Sequence, residues 1–247
     1  MKRYFFVILI TALFTNCQAQ QANDVYYKVI TMRATPGKLL DLIDVIKADL
    51  KNYERAGIEK PYLMRHSQGD HWDLLLMYPI QDLSKHFSTT EMEKRRDNSA
   101  TLDQGYGRPY YNMVSWQEES IVEGPSLKEF NARFSEFDYY HVEMFQALAG
   151  KQEELLRQRE MENVYLTEIG RDTNLIFTKI FGGEVDIFTL GFYRDIKHFA
   201  ESADIPIEKE NVAAKKAGFE SVFTIGSYLR SLLLEHHDTL AGALRND

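Results

Sequence analysis

Apolar residues along the chain follow two periods, one typical of strands and one typical of helices. Residues 25–33 are rich in β-branched and aromatic side chains, which predicts a strand. The next segment carries an apolar stripe at helical spacing, made of Leu39, Leu42, Ile43, Ile46 and Leu50. This stripe predicts an amphipathic helix, which Thr35 can cap, Pro36 can begin and Gly57 can end.

Further apolar runs complete a first unit. Residues 62–66 and 72–78 predict two strands joined by a turn. A polar helical segment is expected from about residue 81, and a closing strand at about 111–117. The predicted order is therefore strand, helix, hairpin, helix, strand.

The same order recurs 113 residues later. Residues 26–29 (Tyr-Tyr-Lys-Val) are echoed by residues 139–142 (Tyr-Tyr-His-Val). Without a gap, this offset also pairs Ala34 with Ala147, Gly37 with Gly150, Lys38 with Lys151, Leu42 with Leu155, Gly57 with Gly170, Gly69 with Gly182, Asp73 with Asp186, and Asp82 with Asp195. Residues 26–82 thus give 11 identities, where chance would give roughly four. The chain therefore contains an internal repeat.

The second unit is predicted to repeat the elements of the first. Strands are expected at 139–146, 175–181, 185–192 and about 228–234, with helices at about 149–168 and from about 195. The Glu-Gly-Pro-Ser segment at 123–126 separates the units. These boundaries predict a leader at 1–19, a first repeat at 20–124 and a second repeat at 125–247.

A β-α-β-β-α-β unit has the ferredoxin-like plan, with both helices on one face of the sheet. The other face must be covered, and the second copy is the simplest cover. The sequence therefore predicts an α+β protein in which two tandem ferredoxin-like repeats form one intramolecular α+β barrel.

Several motifs carry a resemblance. They are the Tyr-Tyr-x-Val strands, the Pro-Gly-Lys and Ala-Gly-Lys turns at 36–38 and 149–151, and the Asp-Leu and Asp-Ile pairs at 82–83 and 195–196. Residues 25–247 resemble the dimeric α+β barrel superfamily, which includes NIPSNAP-type, EthD-type and antibiotic-biosynthesis-monooxygenase-type modules and the tandem, haem-binding chlorite dismutase group. The resemblance implies the fold, and haem as a candidate cofactor. It carries over no catalytic residue, because these relatives differ in chemistry.

The first residues have the pattern of a signal peptide. Lys2 and Arg3 precede a mostly apolar run over residues 4–14, which is too short to span a bilayer, and cleavage is expected after Ala19. Lipidation of Cys17, the single cysteine, is the alternative route. We therefore expect an exported protein with no integral membrane segment once the leader is removed.

Composition excludes some functions. The formal charge of −8 would become −10 without the two basic leader residues. Such a chain lacks the cationic field that collects phosphate backbones, so nucleic acid is not an expected partner. A small-molecule ligand and a homo-oligomer remain open.

Strand alternation sorts the first strand of each unit into two faces. The repeated apolar face, with Tyr27 and Val29 in the first unit, is expected to pack on the helices. The opposite face is then expected to line the space between the sheets, and it offers six candidate site residues: Tyr26, Lys28, Tyr139, His141, Glu143 and Phe145.

His141 and Glu143 are the candidate catalytic residues. They lie two positions apart on one predicted strand and so point the same way. Such a pair could act in acid-base chemistry, ligate a metal or haem, or simply bind the opposite sheet. No metal ligand is assigned.

His236 and His237 follow the predicted last strand, and adjacent residues of an extended chain point in opposite directions. The two rings are therefore not expected to share one metal. His236 is added to the candidate ligand-binding residues.

Three functions stay open from the sequence. The barrel could bind a small apolar or aromatic molecule between its sheets, with acid-base or monooxygenase-type chemistry. It could instead bind haem, as the tandem barrels do, or it could be a non-catalytic structural or interaction protein.

Overall fold

The computed structural model describes residues 25–56, 59–97 and 108–245. The predicted leader and Gly57 lie outside these residues. The strands are Val25–Ala34 (β1), Tyr62–Gln68 (β2), Leu74–Ile80 (β3), Val114–Gly124 (β4), Tyr139–Ala147 (β5), Leu175–Gly182 (β6), Ile187–Tyr193 (β7) and Leu233–Ala243 (β8). The α-helices are Leu39–Ala56 (α1), Leu83–His86 (α2), Thr89–Asp97 (α3), Arg108–Tyr111 (α4), Leu127–Glu136 (α5), Gln152–Ile169 (α6), Ile196–Ala200 (α7), Ile207–Lys216 (α8) and Val222–Arg230 (α9).

The eight strands form one closed barrel in the order β1-β3-β2-β8-β5-β7-β6-β4, and neighbouring strands are antiparallel. Each half has the ferredoxin-like order, with its last strand beside its first. That last strand also pairs with the second strand of the other half, as β8 does with β2 and β4 with β6. The predicted fold class is confirmed, and the sheets join at both edges.

The barrel interior is filled by the repeated apolar face of the two first strands. Tyr27 and Val29 of β1 lie in one buried cluster with Tyr140 and Val142 of β5. The predicted assignment of the two faces is therefore wrong. The interior of a closed barrel is shielded from water on every side, so it takes the more uniformly apolar face.

The opposite, outer face of each half packs against a helix. Ile30 and Met32 cluster with residues of α1, and Phe145 clusters with Leu155 of α6. Helices α8 and α9 add a further layer beside α6. The helix-covered face is open to water at its edges, so it can hold the polar residues of β5.

Helix α5, which the sequence reasoning did not predict, closes one end of the barrel. Its Phe130 is fully buried and contacts the rings of Tyr27, Tyr62, Phe177 and Phe192. The helix begins at an N-cap, where the Ser126 side chain accepts from the Glu129 N–H. The opposite end of the barrel has no such helix among the described residues, and it holds a pocket.

The repeated identities hold the same structural positions in both halves. The carboxylate of Asp73 accepts a hydrogen bond from the Ala34 N–H at 2.8 Å, and Asp186 does the same for Ala147 at 2.9 Å. Asp82 and Asp195 each cap the helix that follows β3 or β7. These residues are therefore explained by the fold, and functional asymmetry lies elsewhere.

Several element boundaries differ from the prediction. Residues 222–230 are helical, so the last strand is β8 and not residues 228–234, and His236 and His237 lie within it. Tyr111 ends α4, and the strand predicted at 111–117 begins at Val114 and continues to Gly124. Helix α1 begins only at Leu39, because Pro36 and Gly37 form a turn with Gly37 at a φ of 80°.

Within the described residues, no helix is both long enough and apolar enough to cross a membrane.

Candidate functional site

The predicted site residues lie on the outer face of the barrel, away from its interior. Glu143 and Phe145 pack against α6, and His236 stacks on Phe145 with ring centroids 4.8 Å apart. The structure therefore does not place the candidate residues between the sheets. It nevertheless brings several of them together.

We name this group the outer cluster: His141, Glu143, Arg159, Glu162, His236 and Asp238. It joins β5, β8 and α6, with Glu143 directly opposite Asp238 in the strand register. Tyr26, Lys28 and Tyr139 stay outside it. Lys28 instead pairs with Glu119 in the first half, at 3.1 Å.

Glu143 is held from one side. Its Oε2 accepts from Thr189 Oγ1 at 2.9 Å and from Arg159 Nη1 at 3.5 Å. Its Oε1 lies 3.8 Å from His236 Nε2. The buried carboxylate is thus fixed by Oε2, and Oε1 faces the other members of the cluster.

Arg159 is the buried cation of the outer cluster, with only 2% of its surface exposed. It donates to Gln158 Oε1 at 2.7 Å and to Glu162, and its guanidinium lies over the Phe145 ring. Burial raises the pKa of Glu162 despite the nearby Arg159 charge. A buried arginine needs such partners, because an unpaired charge is costly in this environment.

The two histidines of the outer cluster differ. Burial disfavours a charge on His141, but its hydrogen bond to Asp238 and the neighbouring carboxylates outweigh this, so its pKa is raised. His141 Nε2 lies 3.0 Å from Asp238 Oδ1. Burial lowers the pKa of His236, whose Nε2 lies 3.5 Å from the same oxygen. The pKa of Asp238 is lowered, because its bond from His141 and the histidine charges outweigh burial.

The first half has a different set of residues at the same positions. The repeat places Ile30 where Glu143 stands and Ile46 where Arg159 stands. Both isoleucines belong to the apolar cluster under α1. The outer cluster is therefore a feature of the second half alone, and a comparison of the two repeats could have revealed it.

A second polar group lies at the open end of the barrel. A pocket of about 390 Å³ there is lined by Thr31, Asp70, His71, Trp72, Trp116, Glu118, Met144, Gln146, Glu184, Val185, Glu235 and His237. We call it the mouth pocket. Both halves contribute to it, and a smaller cavity of about 30 Å³ continues inward past Val29 and Val122.

Asp70 organises the histidines of the mouth pocket. Its side chain is only 7% exposed, and its Oδ1 lies 2.7 Å from His71 Nδ1 and 3.3 Å from His237 Nδ1. His237 Nε2 in turn lies 3.2 Å from Glu235 Oε1. A carboxylate on one ring nitrogen orients an imidazole, a common arrangement where imidazoles transfer protons.

The other walls are aromatic and acidic. The His71 and Trp116 rings meet edge to face at 4.6 Å. Glu118 accepts from the Glu184 N–H at 2.8 Å, which ties β4 to the β6–β7 turn. The lining holds four carboxylates and no lysine or arginine among the described residues.

Sequence reasoning missed most of the mouth pocket. Neither Trp116 nor His71 is among the candidate site residues that the sequence analysis names. His236 and His237 point to opposite faces, as expected for adjacent residues of an extended chain. Because the last strand was predicted at the wrong residues, the sequence did not show that His237 lies on the interior side. Asp70 and Trp72 lie in and beside the turn between β2 and β3, and the pocket wall opposite them is formed by the second half. Neither residue therefore shows, from its own sequence context, that it lines a pocket.

Known structures show the same fold. An anthrone oxidase-like protein superposes with a TM-score of 0.60 at 12% identity, covering 91% of this chain and 93% of that one. A candidate monooxygenase from Fusobacterium nucleatum subsp. nucleatum gives 0.53 at 8% identity (90% and 93%), and a candidate chlorite dismutase gives 0.50 at 13% identity (90% and 95%). No protein-family model and no curated protein sequence matches the chain. At these identities the likeness shows the α+β barrel fold alone.

Proposed function

We propose that the protein binds a small cationic molecule with an aromatic or apolar body in the mouth pocket, and exchanges a proton with it. The single observation that carries this proposal is the lining of the pocket. Two tryptophans and four carboxylates surround one space between the two halves of the barrel.

The charge of the lining selects the ligand. A carboxylate or phenolate ligand would meet four acidic side chains and no lysine or arginine among the described lining residues. An ammonium group would instead gain ion pairs with carboxylates and attraction to a tryptophan face. A planar apolar body suits Trp72 and Trp116.

The histidines supply the chemistry of the proposal. Asp70 contacts Nδ1 of both His71 and His237, which orients the rings. His71 Nε2 has no partner among the described residues, so it is the atom we assign to proton transfer. The side chain of His71 is 49% exposed, which leaves it within reach of a ligand.

The fold likeness supports small-molecule chemistry in this barrel, since neighbours include an anthrone oxidase-like protein and a candidate monooxygenase. One fold hosts many reactions, however, and likeness of fold is a weak warrant for oxygenation. We therefore propose acid-base chemistry as the reaction, because the pocket residues themselves support it.

Tryptamine and indole-3-acetate test the proposal, because they share an indole and carry opposite charges. Calorimetry should detect tryptamine binding that weakens with added salt, and no binding of indole-3-acetate. Titrations in two buffers of different ionisation enthalpy report any proton exchanged on binding. Binding of indole-3-acetate as tight as that of tryptamine, or binding of neither, would contradict the proposal.

Adjacent residues on β4 give a matched control. Glu118 lines the mouth pocket, whereas Glu119 pairs with Lys28 on the outer face. Glu118→Gln should weaken tryptamine binding roughly tenfold, which corresponds to about 1.4 kcal/mol. Glu119→Gln should leave it unchanged.

Haem, which the family resemblance implied, fits the described residues poorly. The four carboxylates that line the mouth pocket would repel the haem propionates. The layer between β5 and α6 is filled by Phe145 and Arg159. Haemin titration should therefore give no shifted Soret band, and a stoichiometric shifted band would restore the haem hypothesis.

Export through residues 1–19 is part of the proposal, on the strength of the leader pattern. N-terminal sequencing of the chain recovered from the periplasm or medium should begin at Gln20. A homo-oligomer also stays a prediction, which light scattering of the purified protein tests.

A further inference from the structure

Ligand atoms of His141, Glu143 and Asp238 converge on one point of the outer cluster. One atom from each residue lies within 4.8 Å of the other two. His236 Nε2 borders the same point, 3.5 Å from Asp238 Oδ1 and 3.8 Å from Glu143 Oε1. Bonds of about 2.0–2.1 Å to a tetrahedral ion place neighbouring ligand atoms roughly 3.3 Å apart. The three separations of 3.0, 3.5 and 3.8 Å lie near that spacing, and none among His141, Glu143 and Asp238 exceeds 4.8 Å.

Neighbouring side chains hold Glu143 in the way that the outer partners of a metal site hold a ligand carboxylate. Thr189 and Arg159 both bind Oε2, and no described residue donates a hydrogen bond to Oε1. Metal-binding carboxylates are characteristically held in this way by outer partners.

The site is also open to solvent on one side. The side chains of His141, His236 and Asp238 are 20%, 27% and 54% exposed. An ion can therefore enter past Asp238 while Glu143 anchors the buried side.

We propose that His141, Glu143, His236 and Asp238 bind one divalent transition-metal ion on the outer face of the second half. Imidazole nitrogen with carboxylate oxygen is a donor set that suits zinc or iron(II) and disfavours calcium and magnesium. The proposal does not depend on the mouth pocket, which lies on the opposite face of β5 and β8.

Neighbouring residues on β8 provide the decisive comparison. His236 belongs to the outer cluster and His237 to the mouth pocket. The full chain, without a histidine tag and stripped with EDTA, would be titrated with Zn²⁺ by calorimetry. Native mass spectrometry would give the stoichiometry.

We expect one Zn²⁺ per chain. Asp238→Asn, His141→Gln and His236→Gln should each weaken binding roughly tenfold or more, and His237→Gln and Glu119→Gln should not change it. Asp238 is half exposed, so its variant tests binding without unfolding the protein. Absence of stoichiometric Zn²⁺ binding, or equal loss in His236→Gln and His237→Gln, would overturn the proposal.

Discussion

Arg159 Nη1 lies 3.5 Å from Glu143 Oε2, across the interface between α6 and β5, at the place where the first half has Ile46 and Ile30. One repeat thus packs an apolar pair and the other a buried ion pair at equivalent positions. Such a pair can be replaced by apolar residues at little cost, whereas removal of one partner leaves a buried charge uncompensated.

The first prediction uses this difference between the repeats. Arg159→Ile should lower the free energy of unfolding by about 3 to 5 kcal/mol, because Glu143 and Glu162 lose their shared cation. The double variant Glu143→Ile/Arg159→Ile, which copies the first half, should recover much of the loss. Urea unfolding followed by circular dichroism measures both.

The control for this comparison is Glu143→Ile alone. It leaves Arg159 paired with Glu162 and should cost less than Arg159→Ile. A double variant as unstable as Arg159→Ile would show that the pair is not replaceable here, and that α6 needs the arginine for another reason.

A second prediction concerns alkaline pH. Three tyrosines fasten α5 and its flanking turns to the barrel: Tyr27 donates to the Pro125 carbonyl at 2.7 Å, Tyr62 to Asn131 at 2.7 Å, and Tyr140 to the Phe137 carbonyl at 3.0 Å. Burial raises the pKa of Tyr62 to about 12, and it raises the pKa values of Tyr27 and Tyr140 further.

A raised tyrosine pKa means that the folded state holds its protons when the unfolded chain has lost them. This stabilisation is complete below the ordinary pKa of about 10 and is lost as pH rises through the folded values. We expect ultraviolet titration to show that these three tyrosines ionise above their ordinary pKa, in the same pH range in which the protein unfolds. Tyr62→Phe should unfold at a similar pH with one tyrosine fewer in the ionisation step, and early ionisation of all tyrosines in folded protein would contradict the assignment.

The fold could be predicted from the sequence because the residues that repeat are those that the fold requires. Asp73 and Asp186 make the same hydrogen bond in each half, so an offset of identities reveals a repeated structure. The face assignment failed because local alternation cannot tell a barrel interior from a helix-covered face. That distinction depends on closure through β2–β8 and β6–β4, which are contacts distant in sequence.

The candidate sites divide in the same way. His141 and Glu143 were recognised as polar residues on one predicted strand and His236 as a residue just after another, and the structure brings the three together. Arg159 lies on α6 at the position that Ile46 holds in the first half, and only a comparison of the two repeats would mark it as buried. Asp70 and His237 meet only because β2 pairs with β8, and neither residue gave a sign of the other.

A third prediction tests α5 as the closure of the barrel. Phe130→Ala should lower the free energy of unfolding by about 3 to 5 kcal/mol, because the ring is fully buried among five aromatic neighbours. Phe223 is 76% exposed, and Phe223→Ala should change stability by no more than about 0.5 kcal/mol. Urea unfolding of both variants makes the comparison, and equal small losses would mean that α5 does not seal the barrel.

The last prediction concerns Gly69, a repeated glycine that packs against Asp238 of the outer cluster. Its φ of 123° disfavours other residues, and a Cβ there would lie 2.1 Å from the Asp238 carbonyl oxygen. Gly37 also has a positive φ, of 80°, but a Cβ there would meet nothing within 4 Å. Gly37→Ala should therefore cost only the backbone strain, about 1 to 2 kcal/mol. Gly69→Ala should cost more, because β8 must move away from the β2–β3 turn.

Since that movement displaces Asp238, Gly69→Ala should also weaken Zn²⁺ binding, whereas Gly37→Ala should not. Equal losses of stability in the two variants, measured by urea unfolding, would show that β8 accommodates the added methyl group without shifting.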